Sequence, residues 1–210
     1  EDGYHELRSL VAFARIGDAD SIVIDPHKHG LQPYGCGCIL FCDPTVGAHY
    51  KHGSPYTYFT STELHLGEIS LECSRAGAAA VALWTTQQAL PLAKDGVFAG
   101  NLEKCRSAAT TLFDHLKAND HFLTIIPPEL DIVLWAPLGE TASEISECSQ
   151  KMFNNAAKRD LHLALVDLPQ SLLQPHWQDV TFDRPSVTCL RSCLMKPEHL
   201  DWIEKIWSII

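Results

Sequence analysis

The sequence predicts an α/β fold in which the end of a mainly parallel-sheet domain is joined to a small α+β domain. Three observations lead to this prediction. Short β-branched strands and an alanine-rich helical pattern occupy the first 92 residues, a long amphipathic pattern follows, and strands and helices alternate from about residue 120. We therefore expect a large-domain portion at residues 1–92, a connecting helix at 93–119 and a small domain at 120–210.

The composition favours a small-molecule or protein partner over nucleic acid or a membrane. The chain of 210 residues has a formal net charge of −10, whereas phosphate backbones and anionic lipids require concentrated lysine and arginine. No apolar run reaches the roughly 18 residues that span a bilayer, and no signal-peptide pattern opens the chain. We expect a cytoplasmic protein. Because the chain opens on a helical pattern at Glu1 rather than on Met, we expect it to be part of something larger.

The first predicted elements are a helix, two strands and a long irregular connection. Apolar residues recur at helical spacing in residues 7–14. Asp20–Asp25 is a short β-branched strand, and Pro26 ends it because proline cannot donate to a ladder. Gly35–Asp43 is nearly all apolar or small, which predicts a strand buried on both faces. Residues 44–68 show little periodicity, as is usual for a functional or mobile connection.

Helices and strands then follow to the end of the chain. The alanine-rich run Gly77–Leu90 predicts a buried helix, and Gly96–Asn119 contains an amphipathic one. Pro91 separates the two. The remaining order is strand, strand, helix, strand, strand, helix, at Phe122–Ile126, Ile132–Trp135, Thr141–Arg159, Leu163–Val166, Val187–Leu194 and Pro197–Ile209.

The first strand is followed by a loop, Asp25-Pro26-His27-Lys28, that places a lysine at the strand's carboxyl end. Fold rules for open α/β sheets put ligand chemistry at such ends. An exposed lysine is nevertheless more often a solvated surface charge. Position alone leaves both interpretations of Lys28 open.

Five segments of the chain form one recognisable pattern: Ala19-Asp20-Ser21, Asp25-Pro26-His27-Lys28, Tyr34-Gly35-Cys36-Gly37, Leu71-Glu72-Cys73-Ser74-Arg75-Ala76-Gly77 and Pro128-Glu129-Leu130-Asp131-Ile132-Val133. Together they resemble the group II amino-acid decarboxylases, pyridoxal-phosphate-dependent enzymes of fold type I in the aspartate aminotransferase superfamily. The segment around the lysine is specific for this family, and the later segments are weaker signals. The resemblance implies the C-terminal half of such an enzyme: the end of the large, mainly parallel-sheet domain and the small α+β domain.

The resemblance also implies a site for pyridoxal 5'-phosphate. Lys28 would carry the cofactor as a Schiff base, and Ser21 and His27 would donate hydrogen bonds to its phosphate. Arg191 would bind the substrate carboxylate with its bidentate fork. Structural alternatives are a strand-edge hydroxyl for Ser21, a loop histidine for His27 and a partly buried ion pair for Arg191.

A catalytic tyrosine in the long connection is implied as well. Tyr56 or Tyr58 would protonate the substrate carbon after carbon dioxide leaves. Aromatic packing against a partner subunit is the alternative for both. Arg75 is interpreted as structural, at the start of the alanine-rich helix.

The cysteines do not predict a metal centre. Cys36, Cys38 and Cys42 lie near His49 and His52 in the sequence, but their spacing matches no closed Cys-x-x-Cys pair. The eight cysteines are scattered, several of them in apolar runs, and we interpret them as mostly reduced and buried.

The implied reaction is α-decarboxylation of an L-amino acid to an amine and carbon dioxide, by a homodimer with active sites at the subunit interface. The family's aspartate for the pyridine nitrogen would lie upstream of Lys28, and no such motif precedes Asp20. The chain would then supply about half of the active site, and a complementary N-terminal half chain or segment would supply the rest. Two rivals are a carbon–carbon (aldehyde) lyase resembling sphingosine-phosphate lyase and a non-catalytic subunit of the same fold. The particular amino acid is not determined.

Overall fold

The computed structural model describes residues 9–52, 65–69 and 77–210. The chain divides into two compact units, Glu1–Pro91 and Leu92–Ile210. We call them unit 1 and unit 2.

Unit 1 contains a two-stranded antiparallel sheet. Strand β1 (Ser21–Ile24) pairs with β2 (Cys38–Phe41), so that Ser21 lies opposite Phe41 and Ile24 opposite Cys38. The expected mainly parallel pairing does not extend to these two strands. Parallel neighbours need a crossover, usually a helix, whereas residues 25–37 form turns and extended chain without one.

The apolar strands of unit 1 are largely exposed, and the expectation that the second strand is buried on both faces is wrong. Val23 is 71% exposed and Ile39 is 53% exposed. Their sheet has two strands within the described part of the chain. An apolar run shows that a strand is suited to burial, but actual burial requires neighbouring strands or helices that cover it.

Helix α2, the alanine-rich helix of unit 1, lies at Ala78–Ala89, as predicted, and the short helix α1 (Leu66–Ile69) precedes it. The expected burial of α2 is wrong, because Trp84 remains 63% exposed. Residues 9–14 are also helical. In the long connection, a 3-10 helix at Pro44–Tyr50 is capped by Asp43, whose side chain accepts a hydrogen bond from the backbone N–H of Thr45.

Unit 2 is built on a four-stranded antiparallel sheet. The strands are β3 (Phe122–Thr124), β4 (Ile132–Pro137), β5 (Ala164–Pro169) and β6 (Ser186–Cys193), in the spatial order β3-β4-β6-β5. The helices are α3 (Val97–Lys117), α4 (Ala142–Ala157), α5 (Gln170–Leu173) and α6 (Ile203–Trp207). All four strands occur where the sequence predicts them, as do the two long helices.

Two elements of unit 2 differ from the sequence prediction. The single helix expected at Pro197–Ile209 is instead a 3-10 turn at Pro197–His199 followed by the short α6. Helix α5 was not predicted, because four residues are too few to show a helical period.

Both faces of this sheet are covered. The buried stripe of α3 recurs at intervals of three and four residues and packs with Trp135 and Leu190 in one cluster. A second cluster joins Ile145, Leu173 and Trp177 to residues on the opposite face of the sheet. Unit 2 therefore has an apolar core of its own.

The cysteines within the described residues are all free thiols. Cys36, Cys105 and Cys189 are buried, whereas Cys42 is exposed. Burial raises the pKa of Cys189 to about 12, which keeps this thiol protonated and unreactive at neutral pH. No helix in the described ranges is both long and apolar enough to cross a membrane.

Candidate functional site

Lys28 lies in a loop between the two strands of unit 1, residues 25–37, which we call the lysine loop. Pro26 is buried at its start, and the backbone N–H of Lys28 donates to the carbonyl of Asp25 at 3.0 Å. The Lys28 side chain is 60% exposed. Its amine is therefore accessible to a ligand, while its backbone is held in a turn.

The Lys28 amine is paired with Asp25, a partner that the sequence analysis did not name. Nζ lies 2.8 Å from Oδ2 of Asp25, and this hydrogen bond holds the pKa of the Asp25 carboxyl below its usual range. The carboxylate is therefore ionised throughout the neutral range. The three-residue spacing of the two side chains within one turn is a sequence signal that could have identified Asp25.

The lysine loop folds back on itself after Lys28. A Cβ at Gly30 would lie 2.6 Å from the carbonyl oxygen of Pro26, so that only glycine fits there without a backbone shift. Leu31 has a φ of 59°, a left-handed conformation that costs a non-glycine residue about 1–2 kcal/mol. The backbone N–H of Gln32 donates to the Pro26 carbonyl at 3.1 Å and closes the turn around Lys28.

Two side chains attach the lysine loop to helix α2. The amide nitrogen of Gln32 donates to the Gly30 carbonyl at 3.0 Å and to the Thr86 hydroxyl at 2.8 Å. The thiol of Cys36 donates weakly to the Ala79 carbonyl at 3.6 Å. Sequence reasoning did not find these contacts, because their partners lie 54 and 43 residues away along the chain.

The two residues expected to bind a phosphate occupy different places. His27 precedes Lys28, is half-buried, and lies with its ring centroid 5.2 Å from that of Tyr34. Ser21 is exposed at the far end of β1, about 10 Å from Ile24 at the usual rise of a strand. The described chain brings His27 into the lysine loop and leaves Ser21 outside it. Their roles toward a phosphate remain predictions.

Arg191, the expected carboxylate ligand, lies on the central strand β6 of unit 2. It is opposite Leu134 on β4 and Ala164 on β5, and it is exposed. Within residues 9–52, 65–69 and 77–210 its guanidinium makes no hydrogen bond or ion pair. The partly buried ion pair considered for Arg191 is therefore absent from the described chain.

Three residues discussed in the sequence analysis, Tyr56, Tyr58 and Arg75, lie outside the described residues. The described part of the chain holds no group of three or more His, Cys, Asp or Glu side chains that could bind a metal ion.

Comparison of the sequence with curated proteins identifies amino-acid decarboxylases. The L-tyrosine decarboxylase of Enterococcus faecium is 31% identical over 162 residues, which cover 70% of this chain and 26% of the relative. The chain thus spans about a quarter of the length of that relative. No protein-family model matches the sequence.

Solved structures share the fold. A structure of mouse CSAD in apo form superposes with a TM-score of 0.65 at 14% identity, covering 91% of this chain and 40% of that one. TDC of Oryza sativa, solved with PLP and tryptamine, gives a TM-score of 0.60 at 16% identity and covers 90% of this chain and 39% of its own.

These similarities confirm that the chain resembles the C-terminal half of the group II decarboxylases and has the expected part of the type I fold. Its sequence similarity is to L-tyrosine decarboxylases in particular.

Proposed function

We propose that this chain is the lysine-bearing part of a pyridoxal-phosphate-dependent decarboxylase of L-amino acids. The observation that carries the proposal is the exposed amine of Lys28, held on a tethered loop at the end of β1 and paired with Asp25 at 2.8 Å. The similarity to L-tyrosine decarboxylases supports it, because those relatives are named for this reaction.

The residues of the lysine loop suit pyridoxal 5'-phosphate. The Lys28 amine is accessible to an aldehyde and fixed at its backbone, as covalent attachment requires. The cofactor supplies, when bound, an electron sink for the charge left on the α-carbon as carbon dioxide departs. His27 offers an imidazole N–H beside Lys28 for a phosphate oxygen, and Ser21 is the second proposed donor.

Asp25 holds the Lys28 amine in this proposal. Its ionised carboxylate accepts a charge-assisted hydrogen bond from Nζ of Lys28 at 2.8 Å. Asp25 therefore keeps the amine close to the loop whenever Lys28 is not bonded to the cofactor.

Substrate recognition and protonation are assigned to other residues. The exposed guanidinium of Arg191 is available for the substrate carboxylate, because no described side chain pairs with it. Tyr56 or Tyr58 is proposed as the acid that protonates the substrate carbon.

The proposal includes partners that cover unit 1. Exposed apolar side chains on β1, β2 and α2 fit a complementary N-terminal half that completes the sheet and supplies the aspartate for the pyridine nitrogen. A homodimer of the whole enzyme in the cytoplasm is part of the same proposal. The domain boundaries at residues 92 and 120 are kept as proposed divisions of that enzyme.

Peptide mapping tests the assignment of Lys28. The assembled enzyme is incubated with pyridoxal 5'-phosphate, reduced with borohydride and digested. We expect the cofactor label on the peptide that contains Lys28. A label on Lys51 or Lys94 in place of Lys28 would refute the assignment.

The names of the relatives favour decarboxylation over aldehyde-lyase chemistry. The two reactions are separated by their products. We expect carbon dioxide and an amine from an L-amino acid. Release of an aldehyde by carbon–carbon cleavage without carbon dioxide would replace this function with the lyase one.

A further inference from the structure

Gln32 is a buried polar residue on the lysine loop. Its side chain is enclosed, with 7% of the residue exposed, although most of the described residues of unit 1 are exposed. A buried amide is costly unless it is hydrogen-bonded, and its two N–H groups are satisfied by the Gly30 carbonyl and the Thr86 hydroxyl. One bond lies within the loop and the other reaches helix α2.

These two bonds hold a segment, residues 26–32, whose backbone is already closed into a turn. Gly30 packs directly on Pro26, and the backbone of Gln32 closes the turn onto the same residue. Lys28 lies inside this closed turn, and a shift of the turn along α2 would carry Lys28 with it. The bond between Gln32 and Thr86 opposes such a shift, and the weak contact of Cys36 with Ala79 lies at the other end of the loop.

We propose that Gln32 is a positioning residue for Lys28, which acts by holding the lysine loop against Thr86 of helix α2. This inference rests on the proposed function and adds a residue to it. Gln32 does not touch the reacting amine. It sets where that amine stands relative to the helix, and a misplaced nucleophile loses reactivity even when it is chemically intact.

The test uses matched substitutions in the assembled enzyme. Gln32→Met keeps the length of the side chain and removes both donors, and Thr86→Val keeps the shape and removes the acceptor. The readout is the pyridoxal 5'-phosphate concentration that half-saturates borohydride labelling of Lys28. We expect Thr86→Val to raise it about tenfold, the effect of one lost buried hydrogen bond, and Gln32→Met, which also loses the bond to Gly30, to raise it at least as much.

Three further variants separate positioning from general stability. Thr86→Ser retains the hydroxyl, and its half-saturating cofactor concentration should lie within about twofold of that of the unmodified protein. The double variant should be no worse than Gln32→Met alone, because both changes remove the same bond. The controls are Thr85→Val, whose hydroxyl donates to the Val81 carbonyl of its own helix, and Gln87→Met, at an exposed position. Both control variants should leave the half-saturating cofactor concentration unchanged.

The outcomes distinguish the two proposals. If Lys28 is labelled in the unmodified enzyme but Gln32→Met and Thr86→Val merely lower the melting temperature, Gln32 is a structural residue and the inference is wrong. If the unmodified enzyme is not labelled at Lys28, the proposed function fails and the inference falls with it. Should Gln32→Met not fold, Thr86→Val decides, because its isosteric change lies on a partly exposed helix position.

Discussion

The two units place apolar side chains of similar size in opposite environments. In unit 2, Trp135 and Leu190 have no exposed surface, whereas in unit 1 Trp84 and Ile39 are 63% and 53% exposed. Among the described residues, every core hydrophobic except Cys36 belongs to unit 2. Each square ångström of apolar surface removed from water contributes about 25 cal/mol. Unit 2 thus obtains its stability from its own residues, while unit 1 depends on surfaces that would cover it.

The residues around the proposed cofactor lysine lie in unit 1, whereas the buried apolar core lies mainly in unit 2. Lys28, Asp25 and His27 all lie in unit 1, on a loop that adds little to any core. Under the proposed function, the lysine that would carry the cofactor and the larger apolar core therefore lie in different units of this chain. Substitutions can separate the two.

The largest effect is expected from Lys28→Ala. Removal of the amine should lower turnover of the assembled enzyme at least about a thousandfold, since the proposed covalent bond to the cofactor is formed through this amine. Unfolding should be unchanged within error, because the pair it forms with Asp25 is solvent-exposed. Steady-state kinetics and urea unfolding measure both.

Lys51→Ala is the matched control for Lys28→Ala. Lys51 is also a half-exposed lysine of unit 1, paired with Glu68 at 3.0 Å. The Lys51→Ala variant should keep the turnover of the unmodified enzyme. Equal losses in the two variants would mean that surface charge, and not the Lys28 amine, is what the reaction requires.

The second prediction separates the units physically. Residues 92–210 expressed alone should fold to a monomer that unfolds cooperatively, because both core clusters lie within them. Residues 1–91 expressed alone should aggregate or bind a hydrophobic dye, since strands β1 and β2 and helix α2 leave apolar side chains uncovered. Light scattering and urea unfolding decide. A soluble, cooperative fragment 1–91 would contradict the comparison.

A third prediction concerns the core of unit 2. Trp135 is fully buried, its indole N–H donates to Ser192 at 3.0 Å, and Phe122 meets its ring edge to face at 5.4 Å. Trp135→Ala should lower the free energy of unfolding by about 3–5 kcal/mol. Trp202→Ala, at a position 53% exposed, is the control and should cost under about 1 kcal/mol. Similar costs would show that Trp135 is not a core residue.

The smallest expected effect is a pH dependence from His199 in unit 2. Burial lowers the pKa of His199 below its usual 6.5, so the unfolded chain takes up a proton first as the pH falls. Stability from this residue is therefore present above pH 6.5 and declines as the pH drops below it toward the folded pKa. Urea midpoints at pH 7 and pH 5.5 should differ less in His199→Gln than in the unmodified fragment. An identical difference in the two would exclude His199 as the source.

The elements that sequence alone predicts well are those whose contacts repeat along the chain. The apolar period of helix α3 predicted both the helix and its buried stripe, because residues three and four apart share one helix face. The sequence predicted that β2 and α2 are buried, and both are largely exposed. Their apolar composition shows what they are suited to contact, and only neighbouring elements decide whether that contact exists.

The candidate site also combines local features that the sequence predicts with long-range contacts that it does not. Pro26 ends β1, the turn that follows places Lys28 within reach of Asp25, and all of these residues lie within a few positions of one another. Sequence by itself therefore determined where the lysine stands and which chemistry it suggests. Tertiary structure alone decided that β1 and β2 pair antiparallel and that Gln32 joins the lysine loop to Thr86. Local order follows from the spacing of neighbouring residues, whereas a bond between residues 54 positions apart exists only once the chain has packed.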